Sequence, residues 1–502
     1  MIEELKKIPN SLVMRDGLEF KYFGSGTWKK SSSGKTLSVK NPYNGEIVGI
    51  VQACSTEEAN QVILTANESV ECWNEKTQRE RADILMKAAK LMRDWADPIG
   101  YIMMKEIGKP LKSAVSEILR TAEFFEATAE AGLQQEGEAI YGDTFKGFSR
   151  DKMSITYRVP LGVILCIGPF NYPFNLTGSK IAPALMAGNA VVVKPPSQGA
   201  ISPLFFGLIL EKAGVPPGVF NIITGKGSEI GDYLVQHPFI NMISFTGSSE
   251  TGKHLASVAG MKPLLLELGG KDAAIVLNDA DLELTTKAIV SGAFSYSGQR
   301  CTAVKRVLPM PKIADELIEL VKKKTLNLSI GNPEENATIG PLISSIQCDF
   351  VQGLIDDALE KGATLLCGNK REGNIMWPTL LDNVTTEMRI AWEEPFGPVL
   401  PFIRTENIQE AIEISNKSEY GLQGMIFTEN IDLAFHIAQE LEVGIVQING
   451  RSERGPDHFP FLGTKSSGLG TQGIKYSIEA MSRPKGMVLN LSDKGKLIKL
   501  CK

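Results

Sequence analysis

Three short segments carry side chains whose types suit chemistry at a carbonyl carbon. They are Gly298-Gln299-Arg300-Cys301-Thr302, Leu264-Leu265-Leu266-Glu267-Leu268-Gly269-Gly270 and Pro169-Phe170-Asn171-Tyr172-Pro173. A cysteine in a partly polar Gly-Gln-Arg setting has a neighbouring cation that favours its thiolate, the form that attacks carbon. A carboxylate embedded in the end of an apolar strand is costly without a task or a partner. Desolvation there raises its pKa toward the range of a general base. An asparagine in a loop after an apolar run offers its side-chain amide to a developing oxyanion. Singly, each has a plain structural reading: a core thiol, a capped acid, a turn asparagine. Their joint presence argues against three coincidences.

A second set of residues suits an anionic ligand. Glycine turns that follow apolar runs and open helices point unpaired N–H groups at phosphate. Two occur here, Thr224-Gly225-Lys226-Gly227-Ser228-Glu229-Ile230-Gly231 and Phe245-Thr246-Gly247-Ser248. The first is spaced GxGxxxG rather than the dinucleotide pattern GxGxxG, so position carries the argument. Lys194 ends another apolar run, at the strand edge where open α/β sheets bind ligands. Its neighbours Pro195, Pro196, Ser197 and Gln198 include no acid to repel a 2′-phosphate, and Lys194 and Ser197 are available to bind one. The expectation is therefore NADP rather than NAD.

The elements that must position these residues follow from periodicity. Residues 78–106 and 111–136 read as helices, and on the second Arg120 lies off the apolar stripe, beside Phe124 and Ala127. From residue 162, short apolar runs alternate with helical patterns: 162–168, 190–195, 220–225, 241–247 and 263–270. A like series follows with 273–279, a long helix over 281–297, and runs at 391–404, 425–430 and 444–450. Such alternation predicts an α/β fold with parallel sheets covered on both faces. The expected units are a dinucleotide-binding domain of residues 1–142 and 161–270 and a catalytic domain of residues 271–483. Residues 143–160 and 484–502 read as extended arms.

Composition narrows the class. The 502 residues are 43% hydrophobic and 22% charged, with a net charge of −5, so there is no general attraction to nucleic acid or anionic lipid. No apolar run is long enough for a membrane span, and the N-terminus lacks a secretory h-region. Seven scattered cysteines without a CxxC pair fit reduced thiols in a cytoplasm. Four histidines, none spaced as ligands on one helix face, argue against a metal site.

The motifs PFNYP (169–173), KPPS (194–197), FTGS (245–248), LELGGK (266–271), GQRC (298–301) and EEPFGP (393–398) together resemble the aldehyde dehydrogenase superfamily over about residues 35–490. The resemblance implies that Cys301 is the nucleophile, Glu267 the general base, and Asn171 with the Cys301 N–H the oxyanion hole. It implies a Rossmann-type cofactor domain, a catalytic α/β domain and a small β oligomerisation arm joining a homotetramer. The cofactor set expected on this basis is Lys194, Ser197, Gly225, Asp232, Phe245, Thr246, Gly247, Ser248, Leu268, Glu394 and Phe396, with Asp232 acting indirectly.

Within that superfamily, Arg454-Gly455-Pro456-Asp457-His458-Phe459-Pro460-Phe461-Leu462-Gly463 resembles the non-phosphorylating, NADP-dependent branch that oxidises glyceraldehyde 3-phosphate. A phosphate-bearing substrate needs fixed guanidinium groups, since arginine clamps phosphate through two parallel bonds. The resemblance assigns this task to Arg120, Arg300 and Arg454, with Tyr172 as a further donor, beside Asn171, Cys301 and Thr302. The competing expectations are a dehydrogenase of an unphosphorylated aldehyde such as succinate semialdehyde, and a thiol esterase that needs no nicotinamide.

Overall fold

The computed structural model describes residues 2–135 and 137–490. Short apolar runs between glycine turns form the first sheet. Strands β1 (Val163–Ile167), β2 (Ala190–Lys194), β3 (Phe220–Ile222), β4 (Ile240–Thr246) and β5 (Leu264–Glu267) lie parallel in the order β5-β4-β1-β2-β3. Short antiparallel strands extend both edges: Gly468–Leu469 beside β5, and Tyr22–Gly24 then Thr27–Lys29 beside β3. Chain progression reverses between β1 and β4, and the crevice beyond their carboxyl ends is where such a sheet takes a ligand. Register sets Lys194 and Phe245 each opposite Ile167, and Thr246 opposite Glu267. Candidates from distant segments thus share one sheet edge.

Because side chains alternate along a strand, this sheet feeds two cores. Cys166, Val191 and Val193 pack toward helices α1 (Gln78–Asp94), α2 (Ala96–Ile107), α3 (Leu111–Gly132), α4 (Asn175–Met186) and α5 (Ile201–Ala213). Leu165, Ile167 and Val192 pack toward α6 (Gly227–Gln236), α7 (Ser249–Val258) and the helix Thr56–Asn74. The helix expected over 78–106 is interrupted at Trp95. Pro98 is the reason: its ring excludes the carbonyl four residues back, so the first helix stops at Asp94.

The second sheet is β6 (Ala273–Val276), β7 (Arg306–Pro309), β8 (Gln423–Phe427) and β9 (Ile445–Ile448), parallel in the order β7-β6-β8-β9. Helix α8 (Leu282–Phe294) covers one face and α9 (Ser345–Glu360) the other. Two expectations fail here. The run 391–404 contains a strand only at Val399–Pro401, because Pro395, Gly397 and Pro398 break the ladder. The helix expected over 281–297 ends at Phe294 and gives way to a turn.

Glu138–Tyr141, Lys152–Pro160 and Ser482–Asn490 form a separate antiparallel sheet. The two expected arms pair with each other along a continuous ladder from Ser482↔Pro160 to Asn490↔Lys152. Residues 491–502 of the second arm lie outside the described residues. Residues 468–481, placed by sequence in the later unit, lie with the first: Gly468–Leu469 edges its sheet, and Ile474, Ile478 and Met481 join its core.

Candidate active site

The segment carrying Cys301 is a strained turn. Tyr296 (φ 52°) and Ser297 (φ 55°) are consecutive non-glycine residues in the left-handed region, followed by Gly298 at φ 73°. Such backbone persists only where its surroundings hold it. Here Tyr296 Oη donates to Ile107 O at 3.0 Å, and Ser297 Oγ donates to Gly340 O at 2.9 Å. Gln299 Nε2 donates to Pro341 O at 3.2 Å while its Oε1 accepts from Ile343 N at 2.9 Å. A side chain at 298 would strike the Gly397 carbonyl. The turn delivers Cys301 Sγ to the floor of a cleft of about 890 Å³.

Cys301 Sγ faces Glu267 Oε1 at 3.7 Å. Burial, and next the Glu267 carboxylate, push the thiol well above its ordinary pKa, with Lys305 pulling the other way. Arg300, the cation expected to favour the thiolate, is not among the charges that act on it. The Arg300 guanidinium is buried and engaged elsewhere, donating to Ser295 Oγ, to Thr302 O at 3.2 Å and to Ser452 O at 2.9 Å. Sequence adjacency put a cation next to the cysteine, and the turn sent the two side chains to different partners.

Glu267 is 3% exposed, as a strand-end carboxylate inside the protein must be, but it is not alone. Its Oε2 accepts from Arg454 Nη1 at 2.8 Å and from Thr246 Oγ1 at 3.2 Å. Thr246 in turn accepts from Lys180 Nζ at 2.6 Å. Burial draws the Lys180 ammonium down to about 8. The cost of desolvating the carboxylate is thus offset by a direct ion pair and a second buried cation, neither of them visible in the apolar run around Glu267.

Asn171 is buried beside this pair, its Nδ2 donating to Gln299 O at 2.9 Å. Its loop rests on a buried ion pair that sequence reasoning missed. Lys109 Nζ meets Glu117 Oε2 at 2.5 Å and donates to Asn171 O at 3.0 Å. Glu117 Oε1 accepts from Phe174 N and Asn175 N at 3.0 Å, capping the start of α4. The Lys109 ammonium also lies over the Tyr172 ring, 3.3 Å from its centroid. The available signal was Glu117 itself, a carboxylate on the apolar stripe Ala114, Ile118 and Thr121 of α3.

The cleft runs from Cys301 along the carboxyl edge of the first sheet to the starts of α6 and α7. Lys194, Asp232, Phe245, Thr246, Gly247, Ser248, Leu268, Glu394 and Phe396 all line it. Gly225 and the exposed Ser197 do not. Lys194 is buried, which lowers its pKa to about 8, and its Nζ donates to Pro195 O at 2.9 Å. The turn after it is held by Glu106, a fully buried carboxylate accepting from Ile201 N and Ser202 N at 2.8 Å. Glu394 pairs with Lys305 at 2.7 Å and accepts from Gly270 N at 3.2 Å, so near Gly269 that a side chain there would displace its carboxylate. Phe396 meets Phe170 edge-on at 5.8 Å. Asp232 pairs with His254 at 2.8 Å at the exposed end. Gln347 and Phe350 of α9 complete the wall and were not foreseen. An elongated cleft with apolar walls, a buried lysine and two helix N-termini fits a dinucleotide.

Of the expected phosphate ligands, Arg120 and Arg454 share Asp457, while Arg300 is bonded to the Ser452 carbonyl of the same loop. Arg120 clasps Asp457 through two contacts of 2.9 Å and donates to Arg454 O at 2.6 Å. Arg454 Nε lies 3.7 Å from Asp457. Thr302 is buried, its carbonyl accepting from Ser452 Oγ at 2.6 Å. Among the described residues no cluster of His, Cys, Asp and Glu is arranged to hold a metal ion, and no helix is long and apolar enough to cross a membrane.

The chain is 54% identical over 474 residues to an NADP-dependent glyceraldehyde-3-phosphate dehydrogenase of Streptococcus equinus, covering 94% of this chain and 99% of that one. It is 50% identical to the Arabidopsis thaliana protein of the same name, over 95% and 96% of the two chains. A crystal structure of the Bacillus halodurans C-125 NADP-dependent glyceraldehyde-3-phosphate dehydrogenase complexed with NADP superposes with a TM-score of 0.93 at 51% identity. That match covers 94% of this chain and 99% of the other. The family model that matches residues 28–487 is that of the aldehyde dehydrogenases. With a cysteine facing a buried glutamate at the floor of a dinucleotide-shaped cleft, and a match over nearly its whole length, the chain belongs to the aldehyde dehydrogenase family.

Proposed function

We propose that this protein oxidises D-glyceraldehyde 3-phosphate to 3-phosphoglycerate with NADP, water taking the acyl group. The observation that carries the reading is the pairing of Arg120 and Arg454 around Asp457, directly against Glu267 and hence beside Cys301. Guanidinium groups gathered there, neither of them lining the cofactor cleft, suit the phosphate of a short aldehyde whose carbonyl reaches the sulfur. The names of the relatives agree with this substrate and cofactor.

Each residue then has a task. Cys301 reacts as its thiolate, the thiol proton passing to solvent, and the sulfur adds to the aldehyde carbon. Asn171 Nδ2 and the Cys301 N–H donate to the resulting oxyanion. Lys194, Phe245 to Ser248, Leu268, Glu394 and Phe396 would hold the dinucleotide, which when bound would accept the hydride from the thiohemiacetal. Glu267 next takes a proton from water as the new C–O bond forms at the thioester. The C–S bond breaks, its electrons return to sulfur, and the carboxylate departs. A water-activating base in contact with the nucleophile disfavours inorganic phosphate as acyl acceptor.

The same reading places the enzyme in the cytoplasm as a homotetramer. The six cysteines among the described residues are all free thiols. The sheet of Glu138–Tyr141, Lys152–Pro160 and Ser482–Asn490 leaves Ile140, Tyr157, Met487 and Val488 exposed, an apolar surface suited to a second copy. We assign residues 1–142 and 161–270, together with 468–481, to the cofactor unit and most of 271–467 to the catalytic unit.

Purified protein assayed with glyceraldehyde 3-phosphate, glyceraldehyde and succinate semialdehyde, each with NAD and NADP, tests the function. The expected result is a kcat/KM at least about a hundredfold higher for the phosphorylated aldehyde with NADP, the worth of two charge-assisted contacts. Equal turnover of succinate semialdehyde would overturn the substrate, and ester hydrolysis without nicotinamide reduction would favour an esterase.

A further inference from the structure

Four charges of alternating sign form an unbroken chain through the substrate side of the site. Glu267 meets Arg454 at 2.8 Å, Arg454 faces Asp457 at 3.7 Å, and Asp457 holds Arg120 at 2.9 Å. Arg454 is only 11% exposed and lies 5.1 Å above the Phe461 ring, so its guanidinium has few places to go. One edge of that guanidinium is committed to the base. It also borders a small cavity of about 50 Å³, lined by Gln447, Asp457, Phe459 and Phe461.

We propose that Arg454 is a latch between substrate and base, holding Glu267 while the site is empty and releasing it when the substrate's phosphate takes the guanidinium. The inference rests on the reading of Arg454 as a phosphate ligand given above. Glu267 Oε2 already accepts two hydrogen bonds, from Arg454 and Thr246, which leaves that oxygen poorly placed to take a proton from water. A phosphate dianion competes well for the same donor, since arginine binds it through two parallel charge-assisted bonds. Arg120 and Asp457 act as positioning residues. Asp457 anchors the far end of the chain, and the Arg120 bond to the Arg454 carbonyl fixes the backbone from which the latch swings.

The consequence is that phosphate contributes to the rate of thioester hydrolysis as well as to binding, so selectivity appears in kcat as well as in KM. A substrate without phosphate acylates Cys301 and then waits, its base still engaged. Binding energy from a part of the substrate remote from the reacting carbon is thereby used at the second chemical step.

The test separates phosphate from the aldehyde. The acyl-enzyme is formed from D-glyceraldehyde and NADP, and its decay is followed by rapid quench with and without phosphite dianion, which fills a phosphate site without serving as acyl acceptor. The expected result is decay about tenfold faster with saturating phosphite, and a markedly smaller rise in the Arg454→Lys variant, which keeps the charge and loses the fork. Decay unchanged by phosphite overturns the latch, as does a rise that persists undiminished in Arg454→Lys. If glyceraldehyde 3-phosphate has no advantage over glyceraldehyde in kcat/KM, the phosphate reading itself fails. If the advantage exists but lies wholly in KM, that reading stands and the latch falls.

Discussion

The two sides of the cleft are built on different principles. On the cofactor side, residues from β1, β2, β4 and β5 reach the site because parallel strands end in register, so each candidate lies where its own strand stops. On the substrate side, Cys301 and Arg454 come from irregular backbone held by side-chain contacts with residues far away in sequence. Ser297 binds Gly340, Gln299 binds Pro341 and Ile343, and Arg120 binds Arg454. The first side inherits its geometry from the sheet, whereas the second has to be assembled contact by contact. Substitutions on the substrate side should therefore propagate, and those on the cofactor side should stay local.

The largest effect that sharpens this contrast is Glu267→Gln. It should allow one burst of NADPH per site and then stall, lowering steady-state turnover by about 10²- to 10⁴-fold. Stopped-flow absorbance at the NADPH band reads both phases, and full steady turnover would remove Glu267 from hydrolysis.

Next comes Lys109→Met, which leaves Glu117 buried with its charge unopposed. The cost should be about 3–5 kcal/mol in urea unfolding. A compensating Glu117→Leu should not restore stability, because Phe174 N and Asn175 N then lose their acceptor. Recovery in the double variant would show the pair to be simple packing.

A smaller effect tests the state of the thiol. Burial and the Glu267 carboxylate both raise the Cys301 pKa, so its thiolate fraction in the enzyme without cofactor grows with pH. Iodoacetamide labelling of Cys301 should rise about tenfold per pH unit across the neutral to mildly alkaline range. A plateau already reached near pH 7 would restore the idea of a cation-stabilised thiolate.

The mildest is on the cofactor side. Ser197→Glu places a carboxylate on the exposed turn after Lys194 and should shift preference from NADP toward NAD by about tenfold, with thermal stability unchanged. Because Ser197 does not line the cleft in this structure, no shift at all would confine recognition of the 2′-phosphate to Lys194 and the helix starts.

How much was legible in the chain follows the same division. The apolar runs at 162–168, 190–195, 241–247 and 263–270 announced β1, β2, β4 and β5, since burial on both faces leaves a local signature in residue type. Lys194 and Phe245 to Ser248 were readable for the same reason, and Leu268 only through the family resemblance. The Trp95 break was missed although Pro98 signalled it, because the apolar spacing continued across it. The turn at 295–298 was missed because left-handed Tyr296 and Ser297 oppose their own preferences and are held only by tertiary contacts. Lys109 and Glu117, eight residues apart, become partners only when α3 packs beneath the Asn171 loop.

What the sequence determined by itself was the inventory: an α/β chain with a cysteine in a polar turn, an embedded carboxylate and strand ends fit for a dinucleotide. Those are properties of residue type and short-range spacing. The tertiary structure alone decided which charge meets which. Arg300 lies next to Cys301 in the chain and serves the loop, while Arg454, more than a hundred and fifty residues away, sits on Glu267. Electrostatic partnership depends on distances of a few ångströms between side-chain tips, and those are set by the path of the folded backbone.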